Sequence, residues 1–296
     1  MGTAIALGNF DGVHIAHAAL VQLATAYAEE HNLISGAYVF EPHPRVLLCP
    51  ETDVKLLMTA KMKARRLCEA GAWRVYFEKR GMEILSLSPK DFVKKILCEE
   101  LDAQFVVAGF NYRFGAGACG DAKMLMALCR ASGIDCRIME PMEKGGTPVS
   151  STRLRALLAS GDIKEYNALS FKPYTVSGTV IKGKQLGRTL GFPTMNTEIP
   201  DVLLLPKKGV YISRTCVDGK WYGSVTNIGQ NPTVESALPR AESYLFGFSG
   251  EVYGKETDTE LLAFIRPEQK FPDVRALCAQ IQKDTETAKA YFEDFE

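Results

Sequence analysis

The first half of the chain alternates short apolar runs with stretches of helical spacing. Thr3–Leu7, Ser35–Phe40, Trp73–Phe77, Phe105–Ala108 and Ile134–Met139 have the composition and length of strands. The intervening stretches carry helix ends. Thr59 is placed to cap a helix that stops before Gly71, and Ser88-Pro89 reads as N-cap and first residue of a helix reaching Glu100. Asp121 opens another, which ends at Gly133. Strand–helix alternation predicts right-handed βαβ units, a parallel sheet with helices on both faces, and ligands at the carboxyl ends of the strands.

Near residue 170 the pattern changes. Ser170-Phe171-Lys172-Pro173 reads as a linker, and strands dominate from there to about residue 266. Asp218-Gly219 sits between two alternating runs and predicts a two-residue hairpin turn. Helical spacing returns from Asp273 to Phe292, with Val274, Leu277, Cys278, Ile281 and Ala288 on one stripe suited to covering an open barrel end. The expected architecture is α/β followed by β: a parallel-sheet domain over 1–169, then a small antiparallel barrel with a C-terminal helix over 173–296.

Composition narrows the function classes. The 296 residues suit two domains, and 46% hydrophobic with 24% charged residues is a globular balance. Thirty-five basic against thirty-five acidic side chains disfavour a nucleic-acid partner, which usually meets a basic excess. The eight cysteines form no CxxC pair and no zinc framework, as expected of reduced thiols in a cytoplasmic protein. No run reaches the length of a membrane span, so no membrane partner is expected. Oligomeric state stays open.

All four histidines (14, 17, 31 and 43) precede residue 44, so any histidine chemistry belongs to the first domain. The densest candidate is Gly8-Asn9-Phe10-Asp11-Gly12-Val13-His14-Ile15-Ala16-His17, between the first strand and the first helix. Such a turn points backbone N–H groups at an anion, and two imidazoles three residues apart can donate to phosphate oxygens. Phe40-Glu41-Pro42-His43-Pro44 ends the second strand in a rigid turn. Gly109-Phe110-Asn111-Tyr112-Arg113-Phe114-Gly115 offers an amide and ring faces to a flat heterocycle, or is a solvated aromatic loop. Ser150, Ser151 and Thr152 with Arg153 and Arg155, opening a helix after Val149, suit a polyphosphate, or are a capping serine followed by a basic helix face.

In the second half, Gly178 to Gln185 comes within one residue of a Walker A pattern. Gln185 replaces the required hydroxyl and no helix is expected to follow, so that reading fails. A better phosphate loop is Gly187-Arg188-Thr189-Leu190-Gly191-Phe192-Pro193-Thr194-Met195-Asn196, where Thr194 and Asn196 supply neutral oxygens suited to Mg²⁺. Glu242 shares its alternation phase with Tyr244, Phe246 and Phe248 and is expected to face the apolar side, where a carboxylate needs a task or a partner. A solvated edge-strand glutamate is the plainer alternative.

Together these segments resemble the bifunctional riboflavin kinase/FAD synthetases of prokaryotes. GNFDGVHIAH is similar to the family's nucleotidyltransferase signature, with FEPHP, GFNYRFGAG and VSSTRLR in order behind it. GTVIKGKQLGRTLGFPTMN, GVY, NIGQNPTV, the glutamate strand and VYGK resemble the flavokinase module. The resemblance implies a Rossmann-like nucleotidyltransferase domain and a flavokinase barrel. Their implied chemistry is ATP-dependent conversion of riboflavin to FMN, then of FMN to FAD with release of pyrophosphate. It makes Glu242 the kinase base, and gives Thr194 and Asn196 to Mg²⁺ and phosphates, with Gly187 and Gly191 in the nucleotide loop. His14 and His17 would stabilise the triphosphate, with Gly8, Asn9, Phe10, Asp11, Asn111, Ser151, Thr152 and Arg155 around nucleotide and FMN.

Three stretches depart from the family pattern. Ala16 stands where the family usually has glycine, and motivates a second reading in which only the kinase is active. Gly247-Phe248 follows the glutamate strand where the family often has Asp-Phe, and Glu78 to Met82 is atypical. A regulator that binds flavin or nucleotide without chemistry is a third reading, opposed by an inward base beside a metal-ready loop.

Overall fold

The computed structural model of the chain describes residues 1–183, 187, 190–229 and 238–293. Lys184, Gln185, Arg188 and Thr189 of the second-half loop, and residues 230–234 of NIGQNPTV, lie outside the described residues. Two compact units form, Met1–Ser151 and Thr152–Glu296.

The first unit begins with β1 (Thr3–Leu7), α1 (Ile15–His31), β2 (Ile34–Phe40), α2 (Pro44–Leu48), α3 (Ala60–Glu69) and β3 (Arg74–Glu78). It continues with α4 (Met82–Leu85), α5 (Pro89–Asp91), β4 (Ala103–Gly109), α6 (Ala122–Ala131), β5 (Asp135–Met139), β6 (Glu143–Lys144) and β7 (Thr147–Pro148). Sheet order is β3-β2-β1-β4-β5, every neighbour parallel. β1 is central and its five residues are all buried, as a strand covered on both faces requires. The expected caps are in place: Thr59 Oγ1 accepts from the Met62 N–H at 3.3 Å, Ser88 Oγ from Asp91 at 3.1 Å and Asp121 Oδ1 from Met124 at 2.8 Å. After α5 the helix continues to Glu100 in π form over Phe92–Glu100, which helical spacing alone does not reveal. Its Phe92, Val93, Ile96 and Leu97 still reach the core shared with Ile5, Leu7, Val106 and Leu125.

The second unit opens with α7, whose helix runs Ser151–Ser160 and so starts one residue before the boundary, and α8 (Ile163–Leu169). Six strands follow: β8 (Thr175–Ile181), β9 (Thr194–Glu198), β10 (Gly209–Val217), β11 (Lys220–Gly229), β12 (Arg240–Leu245) and β13 (Glu256–Arg266). They close as an antiparallel barrel in the order β10-β11-β12-β9-β8-β13. The hairpin between β10 and β11 turns at Asp218 and Gly219, both at positive φ (50° and 81°), with Val217 paired to Lys220. α8, which the sequence pattern does not single out, packs on the barrel unit: Asn167 Nδ2 donates to Leu261 O at 2.8 Å, and Asn167 Oδ1 accepts from the Tyr174 N–H at 2.9 Å.

The barrel interior is polar. Ser213, Thr215, Ser224, Thr226, Ser243, Thr257 and Thr259 are fully or almost fully buried. Their hydroxyls link in chains, Ser213 to Ser224 at 2.8 Å and to Thr226 at 2.7 Å, Thr226 on to Ser243 at 2.8 Å, and Thr215 to Thr259 at 3.1 Å. A hydroxyl both donates and accepts, so a closed set of them meets its own demands without water.

The last helix, α9 (Val274–Glu293), keeps Ala288 of the expected stripe buried and Leu277, Cys278 and Ile281 half-buried. Val274 is exposed, and the buried residues are Asp284, Thr285 and Ala288, toward the C-terminal half. Ala288, Tyr291 and Phe292 pack with Val210, Ile212, Val225 and Ala263 on the outer wall. These contacts put the C-terminal half of the helix against a wall of the barrel. A bidentate Arg266–Asp284 pair fastens it, with Nη2 to Oδ2 at 2.7 Å and Gln280 Nε2 adding a bond to Oδ1 at 2.8 Å. No described helix is long and apolar enough to cross a membrane.

Candidate functional sites

In the first unit, the carboxyl ends of β1, β2 and β4 bring three predicted loops to one sheet edge. Leu7 pairs with Tyr38 and Ala108, so Gly8, Glu41 and Phe110 all follow neighbouring strand ends. The loop after β1 is sharply shaped. Phe10 and Val13 adopt positive φ (50° and 28°), uncommon for residues with a side chain. The Phe10 ring is fully buried, and a Cβ at Gly8 would lie 3.1 Å from it. Phe10 is therefore a packing residue under the loop and presents no ring to a ligand. Asp11 is also buried: its Oδ1 accepts from the Leu57 N–H at 3.0 Å and its carbonyl from Ser151 Oγ at 2.7 Å. Asp11 and Ser151 thus brace the loop, while Asn9 is exposed beside them.

His14 caps α1 through its side chain, Nδ1 accepting from the His17 N–H at 3.2 Å. That bond places the proton of the neutral ring on Nε2, which becomes a donor. His14 and His17 stack at 3.6 Å between centroids, and Phe10 packs against His17 at 5.1 Å. Burial lowers the His14 pKa to about 4, against the opposing charge of Asp11. Burial, then His14 and Lys63, hold His17 well below the ordinary range. Both imidazoles are neutral hydrogen-bond donors at pH 7. His17 Nδ1 is buried with no hydrogen-bond partner among the described residues. Ala16 is buried within the first turn of α1.

His43 repeats the device, capping α2 with Nδ1 accepting from the Arg45 N–H at 3.1 Å. The atypical stretch after β3 supports that turn. Glu78 O accepts from the Glu41 N–H at 2.9 Å, and the Glu78 carboxylate receives Arg80 and Tyr38, with Arg80 bridging on to Glu100 at 2.7 Å. Burial works against this carboxylate, but the Arg80 and Tyr38 hydrogen bonds prevail and hold its pKa below the usual range. In the loop after β4, Asn111 and Phe110 are exposed. Tyr112 and Phe114 instead pack into the core against Phe92, because the chain turns back through the Phe114–Gly120 bridge. Those two rings are unavailable to a heterocycle. Thr152 and Arg155 belong to the second unit, on α7.

The sequence pattern missed Lys63. It is 1% exposed, in mid-α3, and its Nζ donates to Asn9 O at 3.0 Å. A buried lysine beside a glycine-rich turn is the available signal, but in sequence it reads as one of several basic residues on an amphipathic helix.

In the barrel unit, β12 faces two ways. Ala241, Ser243 and Leu245 are buried in the interior phase, whereas Glu242 and Tyr244 lie half-buried on the outer face. Glu242 does share its face with aromatic rings: Tyr244 meets Phe192 at 5.5 Å and Phe246 at 5.9 Å, and Phe246 meets Phe292 at 6.5 Å. Phe248 leaves the series because Gly247 turns the chain at φ 64°, and it packs instead on Tyr222.

Register assembles the site. Glu242 pairs directly with Asn196 on β9 and with Asn227 on β11, and Tyr244 pairs with Thr194. Directly opposed residues share a face with Cβ atoms about 5 Å apart. Asn196, Glu242 and Asn227 thus form a row across three strands, with Thr194 two residues along. Asn227 was missed as a site residue, since its motif carries no spacing signal until the strands pair. The glycines crowd this row. A Cβ at Gly183 would stand 2.5 Å from Asn196 Nδ2, and one at Gly187 would stand 2.3 Å from Phe192 O and 3.4 Å from Thr194 Oγ1. Gly191 supplies a positive φ of 84° before Phe192, whose N–H donates to Gly187 O at 2.8 Å. Among the described residues, no group of three or more His, Cys, Asp or Glu could hold a metal ion.

Two family models match the chain, one described as FAD synthetase over residues 1–153 and one described as riboflavin kinase over 170–292. The bifunctional riboflavin kinase/FMN adenylyltransferase of Listeria monocytogenes is 35% identical over 99% of this chain and 93% of its own. Its namesake from Escherichia coli K12 is 33% identical over 98% and 93%. A crystal structure described as a macrolide-efflux protein from Streptococcus pneumoniae superposes with a TM-score of 0.87 at 27% identity, covering 97% of this chain and 94% of that one. Full-length likeness to two-activity enzymes, together with both module matches in the same order, establishes that the chain belongs to the bifunctional riboflavin kinase/FMN adenylyltransferase family.

Proposed function

We propose that the chain converts riboflavin to FMN and FMN to FAD, each step consuming ATP, with the functional division at the 170–173 linker. The Asn196–Glu242–Asn227 row carries this reading for the kinase step, because it places a carboxylate beside neutral oxygen donors on a half-buried face. Glu242 takes the proton of the ribityl 5′-hydroxyl as that oxygen attacks the γ-phosphorus, and ADP leaves.

Thr194 and Asn196 fit Mg²⁺. They are oxygen donors on one face, beside a carboxylate and glycines whose missing Cβ atoms leave the approach open, which suits a cation that draws its other ligands from phosphates and water. Bound there, the ion neutralises charge on the transferring phosphates.

For the second step, an FMN phosphate oxygen attacks the α-phosphorus of ATP and pyrophosphate departs. His14 and His17 donate hydrogen bonds to the triphosphate as neutral rings, and the loop after β1 directs N–H groups at it. Asn111, exposed in the loop after β4, completes this unit's contacts with the nucleotide. Asp11, Phe10 and Ser151 shape the loop. The free state of all eight cysteines supports a reducing, cytoplasmic setting.

Chromatography of flavins after incubation with riboflavin and Mg-ATP tests the proposal. FAD is expected. FMN alone would reduce the chain to a kinase, and unchanged riboflavin would sink both steps.

A further inference from the structure

The loop after β1 and its two histidines carry no positive charge of their own. Departing pyrophosphate gathers negative charge, yet His14 and His17 are neutral at physiological pH and contribute dipoles only. The loop after β1 adds N–H groups, again without net charge. A cation fixed against this loop suits an in-line displacement of this kind.

Lys63 has the placement for it. Thr59 caps α3, and one turn later the helix sends Lys63 inward beside Met62, Arg66 and Leu67. Its ammonium has three hydrogens and, among the described residues, one hydrogen-bond acceptor, the Asn9 carbonyl at 3.0 Å. Burial lowers its pKa, while the charges of Asp11 and Glu41 oppose that and favour the ammonium form. Asp11 Oδ1 accepts from the Leu57 N–H. Arg66, the other buried cation of α3, is committed to Glu69 at 2.7 Å. A buried ammonium with spare donors is costly unless an anion completes it. The loop that holds its one acceptor is the loop that opens α1 for phosphate, and its field reaches His17.

We infer that Lys63 contacts the β- and γ-phosphates of ATP and stabilises them as they leave as pyrophosphate. This rests on the adenylylation reading above. Lys63 is then a catalytic residue, and its bond to Asn9 holds the ammonium at the mouth of the loop.

The reverse reaction, FAD plus pyrophosphate to FMN plus ATP, separates contact from scaffolding, because only one of its substrates carries the phosphates in question. In the full chain, Lys63→Met should raise the KM for pyrophosphate about tenfold or more and lower kcat, with the KM for FAD within about threefold. Lys63→Arg, which keeps the charge, should recover most of the loss. Riboflavin phosphorylation by both variants should stay within about twofold of wild type, and the retained KM for FAD reports an intact first unit. Should Lys63→Met fail to accumulate, Lys63→Gln supplies the same comparison. An unchanged KM for pyrophosphate, or equal weakening of FAD and pyrophosphate, would overturn the role. Wild-type protein that makes FMN but no FAD would instead remove the adenylylation reading beneath it.

Discussion

His14 shows how one hydrogen bond sets the chemistry of a site. Its Nδ1 is held by the helix it caps, so the ring can meet a phosphate only through an Nε2 proton. The folded pKa is depressed from the ordinary 6.5 to about 4, so protonation favours the unfolded chain. The stabilisation is full above about pH 6.5 and is lost as pH falls through 4, amounting to about 3 kcal/mol for this nearly buried ring. Two-dimensional NMR of the imidazoles checks this, with the expected result that His14 titrates near 4 and His17 well below 6.5. A midpoint near 6.5 for either would make the ring a cation in the working range. Spacing alone revealed that both histidines serve one loop, because strand, glycines and HxxH are contiguous. It could not reveal their protonation, which depends on burial by Phe10 and on Lys63 from a distant helix. The same limit applies to Asn227, which joins Glu242 only through register.

At the scale of elements, the alternation of strands and helices, the caps at Thr59, Ser88 and Asp121 and the Asp218-Gly219 hairpin were all legible, since each depends on a few adjacent residues. The facing of the barrel strands was not. Binary patterning assumes that the inward phase is apolar, and here serines and threonines share the interior with Ala241 and Leu245 while Phe246, Tyr291 and Phe292 pack outside. Glu242 therefore sits on an aromatic face that is the outer wall. Two substitutions test these packings. Asp284→Ala leaves the Arg266 guanidinium without its buried carboxylate and should cost about 3 kcal/mol, read as an earlier denaturant midpoint for the barrel unit. Gly183→Ala drives a methyl against Asn196 and should depress riboflavin phosphorylation about tenfold or more, while FMN adenylylation stays near wild type. Equal loss of both activities would show that the crowding is a folding effect.

For the whole molecule, neutral imidazoles with a buried lysine serve one activity and a carboxylate row on the barrel serves the other. Zero net charge suits this division, because small polyphosphates are met by a few aimed donors and need no basic surface. Separate assays of riboflavin phosphorylation and FMN adenylylation in Glu242→Ala and His17→Ala test it most directly. Glu242→Ala is expected to lose FMN formation by about a hundredfold or more and to keep FMN-to-FAD conversion within about twofold, and His17→Ala to show the reverse. Loss of both activities in either variant would contradict two independent sites.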